Sequence, residues 1–200
     1  EVERVRVKLH RWMDEQAVSP TAQSVRMLIT GRPRHVAERV TRRLQRLPKL
    51  VPPRVGSAAF RTLFNGWCTA RRFQNHGTEH TCKLGCSPEA ADSIEHYCRC
   101  PVTRKLFKNK LRLEMQPTNG LAVFAMAMKQ QEEDEILALT MLGVYAVYMC
   151  INHYRNNPSK VNPQHALQFL GQSLIQGCQG HRELTRLLDK RWESPIVRLE

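Results

Sequence analysis

Residues 81–101 read TCKLGCSPEAADSIEHYCRCP. Cys82 and Cys86 stand with three residues between them, Gly85 among these, a spacing at which a tight turn brings two thiolates onto one ion. After nine more residues come His96 and Cys100, again with three residues between them. Positions four apart share one face of a helix, so this second pair predicts a helical turn on which His96 and Cys100 converge. Three thiolates and one imidazole fill the tetrahedral shell of zinc and leave no place for water. The expectation is therefore one structural Zn2+ held by Cys82, Cys86, His96 and Cys100, with no catalytic role. Cys98 competes as the fourth ligand, although on a helix it points away from His96, and His76 and His80 are close in sequence. The bland alternative is a set of unrelated thiols, or a disulfide between two of them.

Working outward, a chain of 200 residues with 42% hydrophobic residues can bury a real core, as one domain or two small ones. Seven cysteines is an odd number, so a complete internal disulfide framework is impossible, and the Cys/His cluster fits a reducing compartment, nucleus or cytoplasm. The sequence starts without Met and carries no basic-then-apolar leader, so it is expected to be a piece of a longer polypeptide without a secretory signal.

The formal charge of +13 is unevenly spread. Residues 1–61 hold fourteen Lys and Arg against five Asp and Glu, residues 62–118 nine against five, and residues 119–200 eight against eight. A basic field in the first two parts attracts polyanions, and nucleic acid, RNA or DNA, is the expected partner. A solvated basic face, or one that meets an acidic protein, is the alternative.

Along the chain, Glu1 to Gln16 reads as a basic amphipathic helix, and Ser19–Pro20 caps a short second one that Gly31 and Pro33 end. From His35 to Leu47 the apolar residues Val36, Val40, Leu44 and Leu47 form a stripe that leaves Arg39, Arg42, Arg43 and Arg46 on the other faces, free to follow a phosphate backbone. Pro48, Pro52 and Pro53 make a stiff connector. After a cap at Ser57, Phe60, Leu63, Phe64 and Trp67 fall at helical spacing and are expected in the core, with Arg71 and Arg72 outside. Three parts follow: residues 1–50, a basic helical arm; 51–118, a helix and the zinc knuckle; 119–200, a helical packing platform. The candidate phosphate contacts near the knuckle are Arg71, Arg72, Lys83, Arg99, Arg104 and Lys105.

The run from Leu63 to Pro101, with NGWCTARRF, then Cys82 and Cys86, then Asp92-Ser93-Ile94-Glu95-His96 and Cys100-Pro101, resembles the zinc-binding region that follows the polymerase domain in reverse transcriptases of LINE-like, non-LTR retrotransposons. The resemblance covers about a fifth of the chain. It implies Cys82, Cys86, His96 and Cys100 as ligands, and a region that helps hold template RNA and target DNA during target-primed reverse transcription. Cys98 departs from the apolar residue usual at its place. No two adjacent aspartates and no Pro-Asp pair occur, so neither the polymerase nor the nuclease site of such proteins is expected in these 200 residues.

The last part reads differently. Leu121 to Met128 and Ile136 to Ile151 are apolar almost all round, with the acidic run Glu132 to Glu135 between them, either as one long central helix or with a break at the run. The second apolar run has sixteen residues, short of the roughly 20 that a bilayer core needs, so a packed core helix is expected and not a membrane span. Asn162–Pro163 starts a helix with Leu167, Leu170, Leu174 and Ile175 on its apolar side, ended by Gly177 and Gly180, and 181–192 form a last amphipathic helix. With no β alternation of useful length, the fold class is mostly α, a helical domain with an inserted small CCHC zinc knuckle.

Overall fold

The computed structural model of the chain describes residues 34–70, 81–157, 162–191 and 193–199. The two helices expected before Pro33, together with Arg71, Arg72, His76 and His80, lie outside the described residues.

The described chain is mostly helical, in the order α1 (Arg34–Leu50), α2 (Pro53–Leu63), α3 (Ile94–Tyr97), α4 (Pro101–Lys110), β1 (Leu113–Met115), α5 (Gly120–Phe124), a 3-10 turn (Lys129–Glu132), α6 (Asp134–Asn156), α7 (Pro163–Cys178), α8 (Arg182–Arg191) and β2 (Val197–Leu199). The chain does break at the acidic run. Gln131 is buried and its side chain accepts from Met128 N and donates to Val123 O, which fixes the turn before α6.

The central element is α6. It is long and apolar enough to cross a bilayer, and 78% of its most apolar window is buried inside the protein. Its apolar circumference is consumed by neighbours. Along one side α7 runs antiparallel to it: Cys150 lies against Ala166, and a Cβ at Gly177 would collide with Leu142 and press on Tyr145. Glycine at 177 is thus required by close helix approach, inside the helix, and does not end it as the sequence suggested. At the other end of α7, Asn162 caps the first turn by accepting from Gln164 N and His165 N. The buried face of α7 is Ala166, Leu170, Ser173, Leu174 and Gly177, while Ile175, expected inside, is 65% exposed.

α2 packs on α6, α4 packs on both α6 and α7, and an aromatic group ties these elements together. Trp67 is buried, with Tyr148 of α6, Tyr97 of α3 and Phe124 of α5 around it at ring-centroid distances of 5.6, 6.1 and 6.1 Å. Its indole N–H donates to Thr62 Oγ1 at 2.9 Å, so the ring is buried without an orphaned donor. Phe60 and Phe64, also expected in the core, meet with tilted rings at 4.3 Å between centroids and are only half-buried. Pro53 sits at the first position of α2 and Pro52 at its cap, so Ser57 lies within the helix, and Pro48 falls in the last turn of α1. One connected set of buried residues runs from Ala37 to Leu199 and draws on all three expected parts.

Two short strands went unread in the sequence. β1 and β2 pair in parallel with Glu114 opposite Arg198, joining residues about eighty positions apart. Three residues each are too few for alternation to register.

Candidate metal centre

The cluster is built by three local devices. At Cys82 the chain enters a turn in which Gly85 N donates to Cys82 O at 3.0 Å with Gly85 at φ 68, a backbone state that a side chain disfavours. Leu84 N points at Cys82 Sγ from 3.4 Å. An isolated bridge between Thr81 and Ala91, with Cys82 N donating to Ala90 O at 2.7 Å, closes the loop behind Cys86. Ser93 then caps the single turn α3 by accepting from His96 N at 3.1 Å, which fixes the backbone that carries His96.

Cys100 arrives by a different route from the expected one. The helical turn of His96 ends at Tyr97, because Pro101 forces the residue before it out of the helical region; Cys100 has ψ 131. It becomes instead the residue that caps the N-terminus of α4, where the backbone N–H groups of Val102 and Thr103 favour its thiolate. His96 and Cys100 converge because a turn, a proline and a second helix start place them together.

The ligand atoms of Cys82, Cys86, His96 and Cys100 all lie within 4.8 Å of one another. Cys82 Sγ and Cys100 Sγ are 4.0 Å apart, and Cys86 Sγ is 3.2 Å from His96 Nε2. A tetrahedral zinc with ordinary bond lengths needs donor separations of about 3.6 to 3.8 Å, so the donor set fits a metal ion of this size. The electrostatics favour it too. The Cys82 thiol beside it, the α4 N–H groups and His96 draw the Cys100 thiol down to about 4, and its thiolate in turn pushes Cys82 up, with burial adding to the rise. Burial first, then the Cys100 thiolate, pushes Cys86 up. Sulfurs packed this closely cannot all ionise without a cation among them. None of the seven cysteines is in a disulfide. Cys98 is fully buried away from the cluster, its thiol pushed well up by burial.

The group that sequence reasoning underused is Asp92. It is 1% exposed, and its carboxylate accepts from Tyr97 Oη at 2.6 Å, from Ala70 N at 2.8 Å and from Arg155 Nη2 at 3.1 Å. Tyr97 Oη accepts in turn from Lys83 N at 3.1 Å. One buried carboxylate therefore joins the cluster loop, the segment after Trp67 and the end of α6. Its position directly before a capping serine was the available signal.

The ten candidate phosphate contacts separate sharply. Arg43 is fully buried and does not face solvent: it donates to Met126 O and to Lys129 O, and pairs with Glu132 at 3.0 Å. Burial lowers its affinity for its proton, partly offset by Glu132. The reason lies in its spacing, three after Val40 and four before Leu47, which puts it at the edge of the apolar stripe. Arg46 is held by Glu132 at 3.2 Å and by Asp134. Arg42, Arg99 and Lys105 are exposed, and Arg39, Lys83 and Arg104 are half-buried, Arg104 donating to Met115 O at 3.3 Å. Arg71 and Arg72 are outside the described residues.

Comparison with protein-family models, with curated proteins and with solved structures found no match to this chain.

Proposed function

We propose that this chain is a zinc-stabilised nucleic-acid-binding module, of the kind that the resemblance to the region after the polymerase domain of LINE-like reverse transcriptases implies, and a part of a larger polypeptide. The observation that carries the zinc is the convergence of Cys82, Cys86, His96 and Cys100 within 4.8 Å. Four protein donors close the shell, so the ion is a CCHC knuckle's structural staple and not a Lewis acid open to substrate. Asp92 supports this role: it fastens the knuckle to α6, so that ordering the metal loop also orders the surface of the helical body.

The charge of +13 supports the nucleic-acid part. With Arg43 and Arg46 occupied by the protein's own carbonyls and carboxylates, the candidate contacts on α1 reduce to Arg39 and Arg42. Reduced thiols holding zinc fit a nuclear or cytoplasmic setting. Titration of the zinc-loaded chain with labelled single-stranded RNA and double-stranded DNA at about 50 and 200 mM salt tests the reading, because phosphate contacts release counterions and the affinity must fall steeply between the two. Undetectable binding at the lower salt turns the assignment to a zinc-stapled helical module whose basic surface meets an acidic protein.

A further inference from the structure

We infer that the phosphate-contacting surface is the face made by α4, β1 and β2, with Lys108 and Arg198 as its paired anchors on a nucleic-acid backbone; this rests on the nucleic-acid reading and names its site. In sequence the last part of the chain carries no net charge and had no share in the basic surface. The fold changes that. Parallel pairing of β2 on β1 sets Arg198 opposite Glu114, and in-register neighbours of a sheet point to the same side. Leu113 and Met115 face the core, so Glu114 and Arg198 lie on the outer face.

Glu114 accepts from Lys108 Nζ at 2.7 Å and lies 3.4 Å from Arg198 Nε. Lys108 and Arg198 are nonetheless 51% and 71% exposed, so both cations remain open to solvent. On α4, Arg104 and Lys105 lie one turn before Lys108 on the same side, and Arg104 is tied to the end of β1 through Met115 O. Two cations therefore flank one carboxylate, which fixes their spacing, and two more stand one helical turn away on α4. An exposed pair of this kind contributes little to stability. Its geometry suits a polyanion: a phosphate can take both cations without their being displaced from a buried site, and successive phosphates can reach Arg104 and Lys105. The contacts position the chain without reading bases.

The test is the salt dependence of binding by the zinc-loaded chain, with a fluorescein-labelled mixed-sequence oligonucleotide as the probe. Lys108→Ala and Arg198→Ala should each flatten the slope of log affinity against log salt by about 0.7 to 0.9 and reduce affinity several-fold at low salt. Arg198→Lys should keep the slope of the parent. Glu114→Gln should tighten binding, an outcome that general damage to the fold would not produce, and all four variants should melt with the parent. If the parent binds and the slopes of Lys108→Ala and Arg198→Ala equal its own, the surface is elsewhere and the nucleic-acid reading stands. If the parent itself fails to bind at about 50 mM salt, both fall together.

Discussion

The knuckle segment and the α6–α7 hairpin are held together by opposite means. Between Thr81 and Cys100 the regular structure is one isolated bridge, one four-residue helical turn and a cluster of four Cys and His side chains that could hold a metal ion. Between Asp134 and Cys178 two long helices bury Leu137, Leu139, Val144, Val147, Leu170 and Leu174 to 2% exposure or less. Apolar burial contributes roughly 25 cal/mol per Å2, so the hairpin needs nothing but itself and its neighbours. The cluster segment offers mainly Leu84, Ile94 and Tyr97 to the core, and its sulfurs cannot all ionise without a cation among them. On the zinc reading, the order of the short segment is conditional on the ion, while that of the hairpin is not.

The largest effect expected from this contrast comes from the metal. Cys82→Ser or His96→Ala should abolish stoichiometric zinc and unfold residues 81–100, because ligand binding there is folding energy, with apparent values of about 10–16 kcal/mol in small zinc domains. Zinc analysis of the purified chain, paired with amide exchange, reads both consequences. Amides of Cys82 and Cys98 should lose protection while those of α6 keep theirs. Retained zinc in Cys82→Ser would break the assignment of the ligand set. Cys98→Ala, by contrast, should leave the zinc in place, since its sulfur lies outside the cluster.

The two regions also differed in how far their sequence could be read. The Cys/His cluster was legible because metal chemistry restricts both residue type and spacing, and the central helix was legible because an apolar run that long has few other fates. The route to Cys100 was not. Spacing alone cannot tell two residues on one helical face from two residues joined by a proline-terminated turn, although Pro101 was in view. Arg43 was misread for a related reason: arginine is assigned outward by default, yet three carbonyl and carboxylate partners more than eighty residues away hold it inside. The β1–β2 pairing was illegible since each strand is three residues long and the partners are distant. What escaped in each case was a long-range partner, which local pattern cannot supply.

A smaller effect tests the hairpin without touching the metal. Gly177→Leu places a side chain where Leu142 and Tyr145 already stand, and neither helix can retreat without opening the core around Cys150 and Ala166. Overpacking of this kind costs about 1–3 kcal/mol, occasionally more. For a chain of this size that lowers Tm by roughly 2–4 °C for each kcal/mol. Thermal melting followed by circular dichroism measures it, with zinc content unchanged. If the variant loses zinc as well, the knuckle and the hairpin form one cooperative unit, coupled through Asp92 and Arg155, and the contrast between conditional and self-sufficient order is weaker than drawn.

The smallest expected effect sharpens the comparison from the other side. Ile175 follows Leu174 directly in α7, and one step of about 100° around the helix carries it from the buried face to a position 65% exposed. Alone in the chain it buries little, so Ile175→Gln should change stability by no more than about 0.5 kcal/mol, as exposed substitutions do. A loss clearly above that, seen in denaturant melts, would mean that the side chain is covered in solution. Repeating the melts at two protein concentrations separates the possible reasons. A loss that grows with concentration in the parent's favour identifies a second copy on α7, since association stabilises by mass action. A loss independent of concentration places the covering atoms within the same chain, and the outer face of the hairpin would then be core as well.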